Sequence, residues 1–326
     1  MNICFLENTF FKYNSTHLYF DTLRGAETVL INLSKSLKKL GHQVTIFNNC
    51  PQNEVIEGIN WVNINSYFVK DKFDLAISNN DIRLFDKIIS NKKVLISHSL
   101  QSIEKFIRKS QFLSYMKHRP KVLLLGNYHK HNRSKLLTLF GDFTINWAVD
   151  DAFIQTPINN YVVKNRAIFT SKEDRNLNIL IDIWNKYIAP NKSDAELLTT
   201  PSSDIHQLNN IFFRKKGNQK NLIQDLLSSK VFLIPGHKGE LFCLAAEEAK
   251  ELCLPVITLG IGSLSERVIH GVTGFIAKNE KDFANFTLDI FNDKTIYNSI
   301  RSNLIKIRGQ NNWDKVATKF INKLFD

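Results

Sequence analysis

At 326 residues the chain is longer than one hydrophobic core usually organises, so two domains are expected. Hydrophobic residues make up 43% and charged residues 23%, the balance of a globular protein rather than a disordered or fibrous one. The formal charge of +12, from 43 Lys and Arg against 31 Asp and Glu, leaves three anionic partners open: nucleic acid, a membrane surface, or small phosphorylated ligands. No nucleic-acid-binding motif occurs, and the basic residues are scattered apart from short clusters such as Arg214-Lys215-Lys216. Nucleic acid is therefore set aside, and most of the charge reads as solvated surface. Cys4, Cys50, Cys243 and Cys253 show no CxxC spacing and sit mainly in apolar runs, as buried thiols of a reducing compartment do. Glu7 interrupts the short apolar run at the N-terminus, which has no basic leader, and no apolar stretch reaches the ~18 residues of a membrane span. The expectation is a cytoplasmic protein, peripheral at the inner membrane face at most.

In chain order, Ile3 to Leu6 reads as a strand, followed by a loop and a helix from Gly25 to Leu40. That helix carries Val29, Leu30, Leu33, Leu37 and Leu40 on one face, Gly41 stops it, and Gln43 to Phe47 is the next strand. Further strands are expected at Phe73 to Ser78, Val94 to Ser97, Val122 to Leu125 and Phe143 to Asn146, with helices at Ile103 to Met116 and His131 to Phe140. Around 150–165 the periodicity breaks in a polar stretch holding Pro157, Asn159 and Asn160, which reads as a linker. A second alternation follows. Its strands are expected at Ala167 to Thr170, Glu196 to Thr199, Ile211 to Arg214, Val231 to Ile234 and Val256 to Leu259. Its helices are expected at Leu177 to Tyr187, Leu222 to Leu227 and Leu241 to Leu252, and the last ~40 residues read as helical. Strands alternating with helices imply parallel sheets covered on both faces, with ligands at the carboxyl ends of strands, where helix N-termini favour phosphate.

The most informative stretch runs from Pro235 to Gly274. A strand leads into a Gly-containing loop, then Glu240, then a helix with Glu248 eight residues on, a spacing close to two turns. Carboxylates accept hydrogen bonds from hydroxyls, which suits sugar and ribose. Glu247, Lys250 and Glu251 on the same helix keep a plain solvated face equally open from spacing alone.

Glu240, Glu248, Ala249 and Leu252-Cys253-Leu254-Pro255-Val256, with Ser265-Glu266-Arg267-Val268 and Gly271-Val272-Thr273-Gly274-Phe275 downstream, resemble the donor-site signature of the retaining GT-B glycosyltransferases with the Glu-x7-Glu motif, the glycosyl transferases group 1 or family 4. The resemblance implies two Rossmann-like, doubly wound parallel-sheet α/β domains with a cleft between them. Residues 1–155 would be the acceptor domain, joined by a returning helix at 310–326 that begins near Trp313-Asp314-Lys315-Val316, and residues 156–309 the nucleotide-sugar domain. Glu240 would bind the donor sugar's hydroxyls and Glu248 the ribose, while a helix beginning at Leu241 and Phe242 would present N–H groups to sugar or phosphate.

The same resemblance assigns a diphosphate-neutralising pair after the strand at 167–170. Arg175 matches the family's basic position, Lys172 or Ser171 is the nearest match to the other, and Asn176 stands where glycine is usual. A guanidinium grips phosphate oxygens bidentately and stabilises a departing diphosphate. In the first half, Gly25 and Ala26 match the family's phosphate or acceptor loop, with Arg24 in place of a first glycine. His98, closing a strand, matches a histidine that contacts the donor sugar or reacting centre. Ala148-Val149-Asp150 with Phe153 resembles the hinge marker, alanine replacing glycine. His129 and His131 are two apart with no third ligand nearby, so no metal is assigned there.

The implied activity is transfer of a hexosyl group from a nucleoside diphosphate sugar to an acceptor hydroxyl on a glycan or lipid-linked saccharide, with retention. No cofactor is implied, and no metal, since no Asp-x-Asp motif occurs. A GT-B epimerase and a non-catalytic nucleotide-sugar-binding relative remain as alternatives, because the fold does not fix the reaction.

Overall fold

The computed structural model describes residues 1–20, 23–66, 71–100, 102–158, 164–202, 210–215 and 217–325. Asn159 and Asn160 of the expected linker, and Lys216 of the basic cluster, lie outside them. The chain divides into two compact units, Met1–Trp147 with Trp313–Asp326, and Ala148–Asn312.

The first unit holds an eight-stranded sheet: β1 (Asn2–Leu6), β2 (Gln43–Asn48), β3 (Glu54–Ile56), β4 (Ile59–Asn63), β5 (Lys72–Asn79), β6 (Ile89–Ile96), β7 (Lys121–Leu124) and β8 (Asp142–Thr144). Their spatial order is β3-β4-β2-β1-β5-β6-β7-β8, and only the β3–β4 pairing is antiparallel. From β1 the chain winds first to the β2 side and later, through β5, to the other. The order reverses at β1/β5, where such sheets open their binding crevice beyond the strand carboxyl ends. α1 (Gly25–Lys39) buries Val29, Leu30, Leu33 and Leu37, the face its apolar spacing marks out. Trp313–Phe325 packs back on α1: Asp314 accepts from Ser36 Oγ at 3.0 Å and pairs with Lys39, and Trp313 stacks on Trp147 with centroids 5.8 Å apart.

Two expectations in this unit need correction, and one hairpin is added. The helix read over Ile103 to Met116 is two, α2 (Ile103–Arg108) and α3 (Phe112–His118), because Ser110 turns left-handed at φ 55°. The helix read over His131 to Phe140 is replaced by Asn127–Asn132 followed by a 3₁₀ turn at Lys135–Thr138. The β3–β4 hairpin, unexpected from sequence, closes through Glu57 and Gly58, both at positive φ as a two-residue hairpin turn demands.

The second unit holds six parallel strands: β9 (Arg166–Phe169), β10 (Glu196–Thr199), β11 (Ile211–Phe213), β12 (Val231–Leu233), β13 (Val256–Thr258) and β14 (Gly274–Ile276). Their order is β11-β10-β9-β12-β13-β14, so the winding reverses between β9 and β12. β14 was not expected. It pairs so closely with β13 that a Cβ on Gly274, at φ 153°, would sit 1.9 Å from the Val256 carbonyl oxygen. α4 (Leu177–Ile183) follows β9, and α5 (Leu244–Glu251) follows β12. α5 starts later than the sequence reading has it: Cys243 is left-handed at φ 63°, and Leu241 and Phe242 precede the helix as buried side chains. All four cysteines are buried and free. No helix among the described residues is long and apolar enough to cross a membrane.

Candidate functional site

The two loops leaving β9 and β12 flank the switch point of the second sheet, and they carry Arg175 and Glu240. After β9 the chain turns so that Arg175 N–H donates to Lys172 O at 3.0 Å, and Asn176 then enters α4 left-handed at φ 65°. Among non-glycine residues Asn tolerates that region best, so it fills the turn where glycine is usual. Its Nδ2 donates to Gly236 O at 2.5 Å, tying the β9 loop to the β12 loop.

The β12 loop is built around Glu240 and His237. Glu240 N–H donates to His237 O at 2.9 Å, and Glu240 Oε1 accepts from Cys243 N–H at 3.0 Å. Ser263 N–H donates to Glu240 O at 2.9 Å, and Gly262 allows that approach: at φ 74° its Cβ would fall 2.3 Å from His237 O. Arg175 reaches across to this loop. Its Nε lies 3.8 Å from Glu240 Oε2, and its Nη1 lies 3.0 Å from His237 Nδ1, which also accepts from Gly239 N–H at 3.0 Å. Burial pushes the Glu240 carboxyl above the usual carboxylate range, against the pull of Arg175. Lys172 is exposed on the turn before Arg175.

On α5 the acidic residues separate by partner. Glu247 pairs with Lys250 at 2.9 Å and lies 3.8 Å from Arg267, and Glu251 accepts from Gly309 N–H at 2.6 Å. Glu248 is half-buried and has no hydrogen-bond or ion-pair partner among the described residues. Burial raises its pKa from 4.5 to about 7, with Asp150 adding to the rise and Arg214 opposing it. An unoccupied acceptor with raised proton affinity suits hydroxyl recognition. Leu241 and Phe242 are 3% and 4% exposed; the Phe242 ring lies under the Arg267 guanidinium at 4.7 Å and packs the loop in place. The first-turn N–H groups of α5 belong to Leu244 and its successors.

In the first unit, Gly25 and Ala26 open α1 behind Arg24, whose guanidinium folds back onto Glu27 at 2.6 Å and lies 4.9 Å from the Phe11 ring centre. His98 stands two residues past β6. Its N–H donates to Asn80 Oδ1 at 2.9 Å and its Nε2 lies 3.3 Å from Asn79 Oδ1. Burial, with His129 nearby, lowers its pKa to about 4, so the ring is neutral at physiological pH. Among the described residues no three His, Cys, Asp or Glu side chains come together as metal ligands.

The sequence reading passed over His237. It lies on the loop past β12, the kind of position that drew attention to His98, and its Nδ1 is 3.0 Å from Arg175 Nη1.

Comparison with known proteins follows this geometry. Residues 161–307 match the family described as Glycosyl transferases group 1. Sucrose-phosphate synthase from Thermosynechococcus elongatus is 15% identical with a TM-score of 0.67, over 100% of this chain and 98% of that one. HepE from Anabaena, solved in complex with UDP and glucose, is 16% identical with a TM-score of 0.71, over 100% of both chains. A glycosyltransferase from Rickettsia africae is 14% identical with a TM-score of 0.66, over 99% of this chain and 98% of that one. No curated protein sequence matches the chain. The fold is GT-B, and the family match within it is to a glycosyltransferase family. The matched residues lie in the second unit, and Arg175, His237, Glu240 and Glu248 all fall within them.

Proposed function

We propose that the chain transfers a sugar from a nucleoside diphosphate sugar to an acceptor hydroxyl, with retention and without a divalent ion. The observation that carries this reading is the Arg175 guanidinium held between His237 and Glu240 at the switch point of the second sheet. Diphosphate oxygens would take the guanidinium and the first-turn N–H groups of α5, donor sugar hydroxyls Glu240, and ribose hydroxyls Glu248. The acceptor oxygen bonds to the anomeric carbon as the bond to the diphosphate breaks, and the departing diphosphate oxygen takes the acceptor's proton. Arg175 supplies the positive charge that this step needs. Gly25 and Ala26 belong on the acceptor or phosphate side, and His98, neutral, near the reacting carbon, where it can accept from the acceptor hydroxyl. Because HepE was solved with UDP and glucose, UDP-glucose is the first probe. Thermal shift with UDP-glucose and UDP tests the donor site: stabilisation that Arg175→Ala removes supports it, and no shift with any nucleotide sugar for a folded protein overturns it.

The acceptor we propose is a saccharide on a lipid carrier, with the protein peripheral at an anionic surface. α2 and α3 expose Ile107, Phe112, Leu113 and Met116 beside Arg108 and Lys109, an apolar patch with basic residues around it. Such a patch inserts at a headgroup boundary and is held there by charge. The sequence pattern hides it because the two helices are short and split at Ser110.

A further inference from the structure

Three side chains at the switch point of the first sheet form one hydrogen-bonded chain. Glu7 follows β1, Asn79 ends β5 and His98 follows β6. Asn79 Nδ2 donates to Glu7 Oε1 at 2.8 Å, and Asn79 Oδ1 lies 3.3 Å from His98 Nε2. The other Glu7 oxygen accepts from the Tyr13 hydroxyl, and Tyr13 O accepts from Asn48 Nδ2 at 3.0 Å. Glu7, Asn79 and Tyr13 are all at least nine-tenths buried, so no solvent competes for these bonds.

The direction of the chain follows from which atoms can donate. Oε1 of Glu7 is an acceptor when the carboxyl is charged. It stays one when the proton sits on Oε2, where the Tyr13 oxygen can accept it. The amide of Asn79 must then present its NH₂ to Glu7 and its carbonyl to His98. A carbonyl facing Nε2 requires that Nε2 carry the hydrogen, and in a neutral imidazole this leaves the lone pair on Nδ1. Nδ1 has no partner among the described residues.

We infer that Glu7 and Asn79 are positioning residues that fix the Nε2–H tautomer of His98, leaving Nδ1 to accept a hydrogen bond from a substrate hydroxyl. The groups around Glu7 are Tyr13, Asn79, Arg24 and Glu27, and the titratable neighbour of His98 is His129, itself uncharged at neutral pH because burial lowers its pKa to about 4. Burial raises the Glu7 pKa to about 7, yet the amide faces the same way in both charge states, so the tautomer is independent of pH through neutrality. The substrate part of this inference rests on His98 accepting from the acceptor hydroxyl as proposed above; the tautomer does not.

The test is nitrogen-15 NMR of the histidine rings in the whole protein without substrate, with the His98 signals assigned by their loss in His98→Gln. The wild type should show His98 as a single neutral Nε2–H tautomer. Glu7→Gln should keep it, since a glutamine carbonyl can still accept from Asn79 while its NH₂ meets Tyr13. Glu7→Leu frees the amide to turn and should give mixed tautomers, with kcat down about tenfold and nucleotide affinity unchanged. Asn79→Ala should mix the tautomers in the same way and serves if Glu7→Leu does not fold. An Nδ1–H ring in the wild type, or a single Nε2–H tautomer in Glu7→Leu or Asn79→Ala, would overturn the inference. A wild type with the stated tautomer that turns over no nucleotide sugar would refute the transferase reading and leave the tautomer assignment standing.

Discussion

Arg175 and Glu240 face each other at 3.8 Å from loops leaving adjacent strands of the second sheet, and His237 holds the guanidinium from beneath at 3.0 Å. On the proposed reading a cation and a carboxylate placed there divide the work: the cation would meet phosphate and the carboxylate hydroxyls. Arg175→Ala should lower kcat/KM for a nucleotide sugar about 10²-fold, as removal of one preorganised charge-stabilising donor does. Arg175→Lys should recover only part of this, because a point charge cannot replace the fork that spans His237 and a phosphate. Steady-state kinetics on the two variants checks both.

His237→Ala should act through Arg175. It removes the Nδ1 contact, so kcat/KM should fall about tenfold while a double variant with Arg175→Ala is no worse than Arg175→Ala alone. Full additivity in that double-mutant cycle would detach His237 from the arginine.

On the proposed reading, Glu248 should make nucleotide binding pH-dependent. Its folded-state pKa is raised from 4.5 to about 7, so the carboxyl is mainly protonated below pH 7 and mainly charged above it. Its contribution to stability is therefore full below 4.5 and is lost as pH rises through about 7. Ribose recognition by the charged form runs the other way. Wild-type affinity for UDP should strengthen relative to Glu248→Gln between about pH 6 and pH 8, and calorimetric titration of both proteins isolates this from ionisation of the nucleotide itself. A constant ratio across that range would remove Glu248 from the ribose.

The left-handed turn at Asn176 predicts an asymmetric response. Asn176→Gly should be near neutral in stability, whereas Asn176→Val should cost about 1–3 kcal/mol and lower activity, because it strains the backbone that sets Arg175. Thermal denaturation and turnover of the two variants check this.

The patch on α2 and α3 predicts binding to vesicles containing anionic lipid and not to neutral ones. Leu113→Glu, at a side chain 81% exposed, should abolish that binding and leave the fold and nucleotide binding intact. Sedimentation with vesicles reads it directly.

How far the molecule was legible in its sequence depended on element length and on who supplies the partner. β1, α1, β2 and β5 were readable because Ile3 to Leu6, the Val29–Leu37 stripe and Phe73 to Ser78 each carry their own periodicity. The first half of β6, Ile89 to Lys93, is largely polar and becomes strand only by pairing with β5. β14 has three residues and exists because Gly274 lets it approach Val256, a tertiary fact with no local signal. The start of α5 was misplaced because Leu241 and Phe242 continue the apolar pattern while Cys243 breaks the backbone. At the site, Glu240, Glu248 and Arg175 stood out by motif. His237 did not, since what marks it is its contact with another side chain, and Glu7 registered only as a charge inside an apolar run. Residues that act through a neighbour leave little trace in spacing.

The most direct test of the account is turnover of a panel of nucleoside diphosphate sugars by the purified protein in the presence of EDTA, comparing the wild type with Glu240→Ala. The account predicts release of nucleoside diphosphate from one donor, undiminished by the chelator and lost in Glu240→Ala. A folded protein that releases none from any donor, or a Glu240→Ala variant with full turnover, would contradict it.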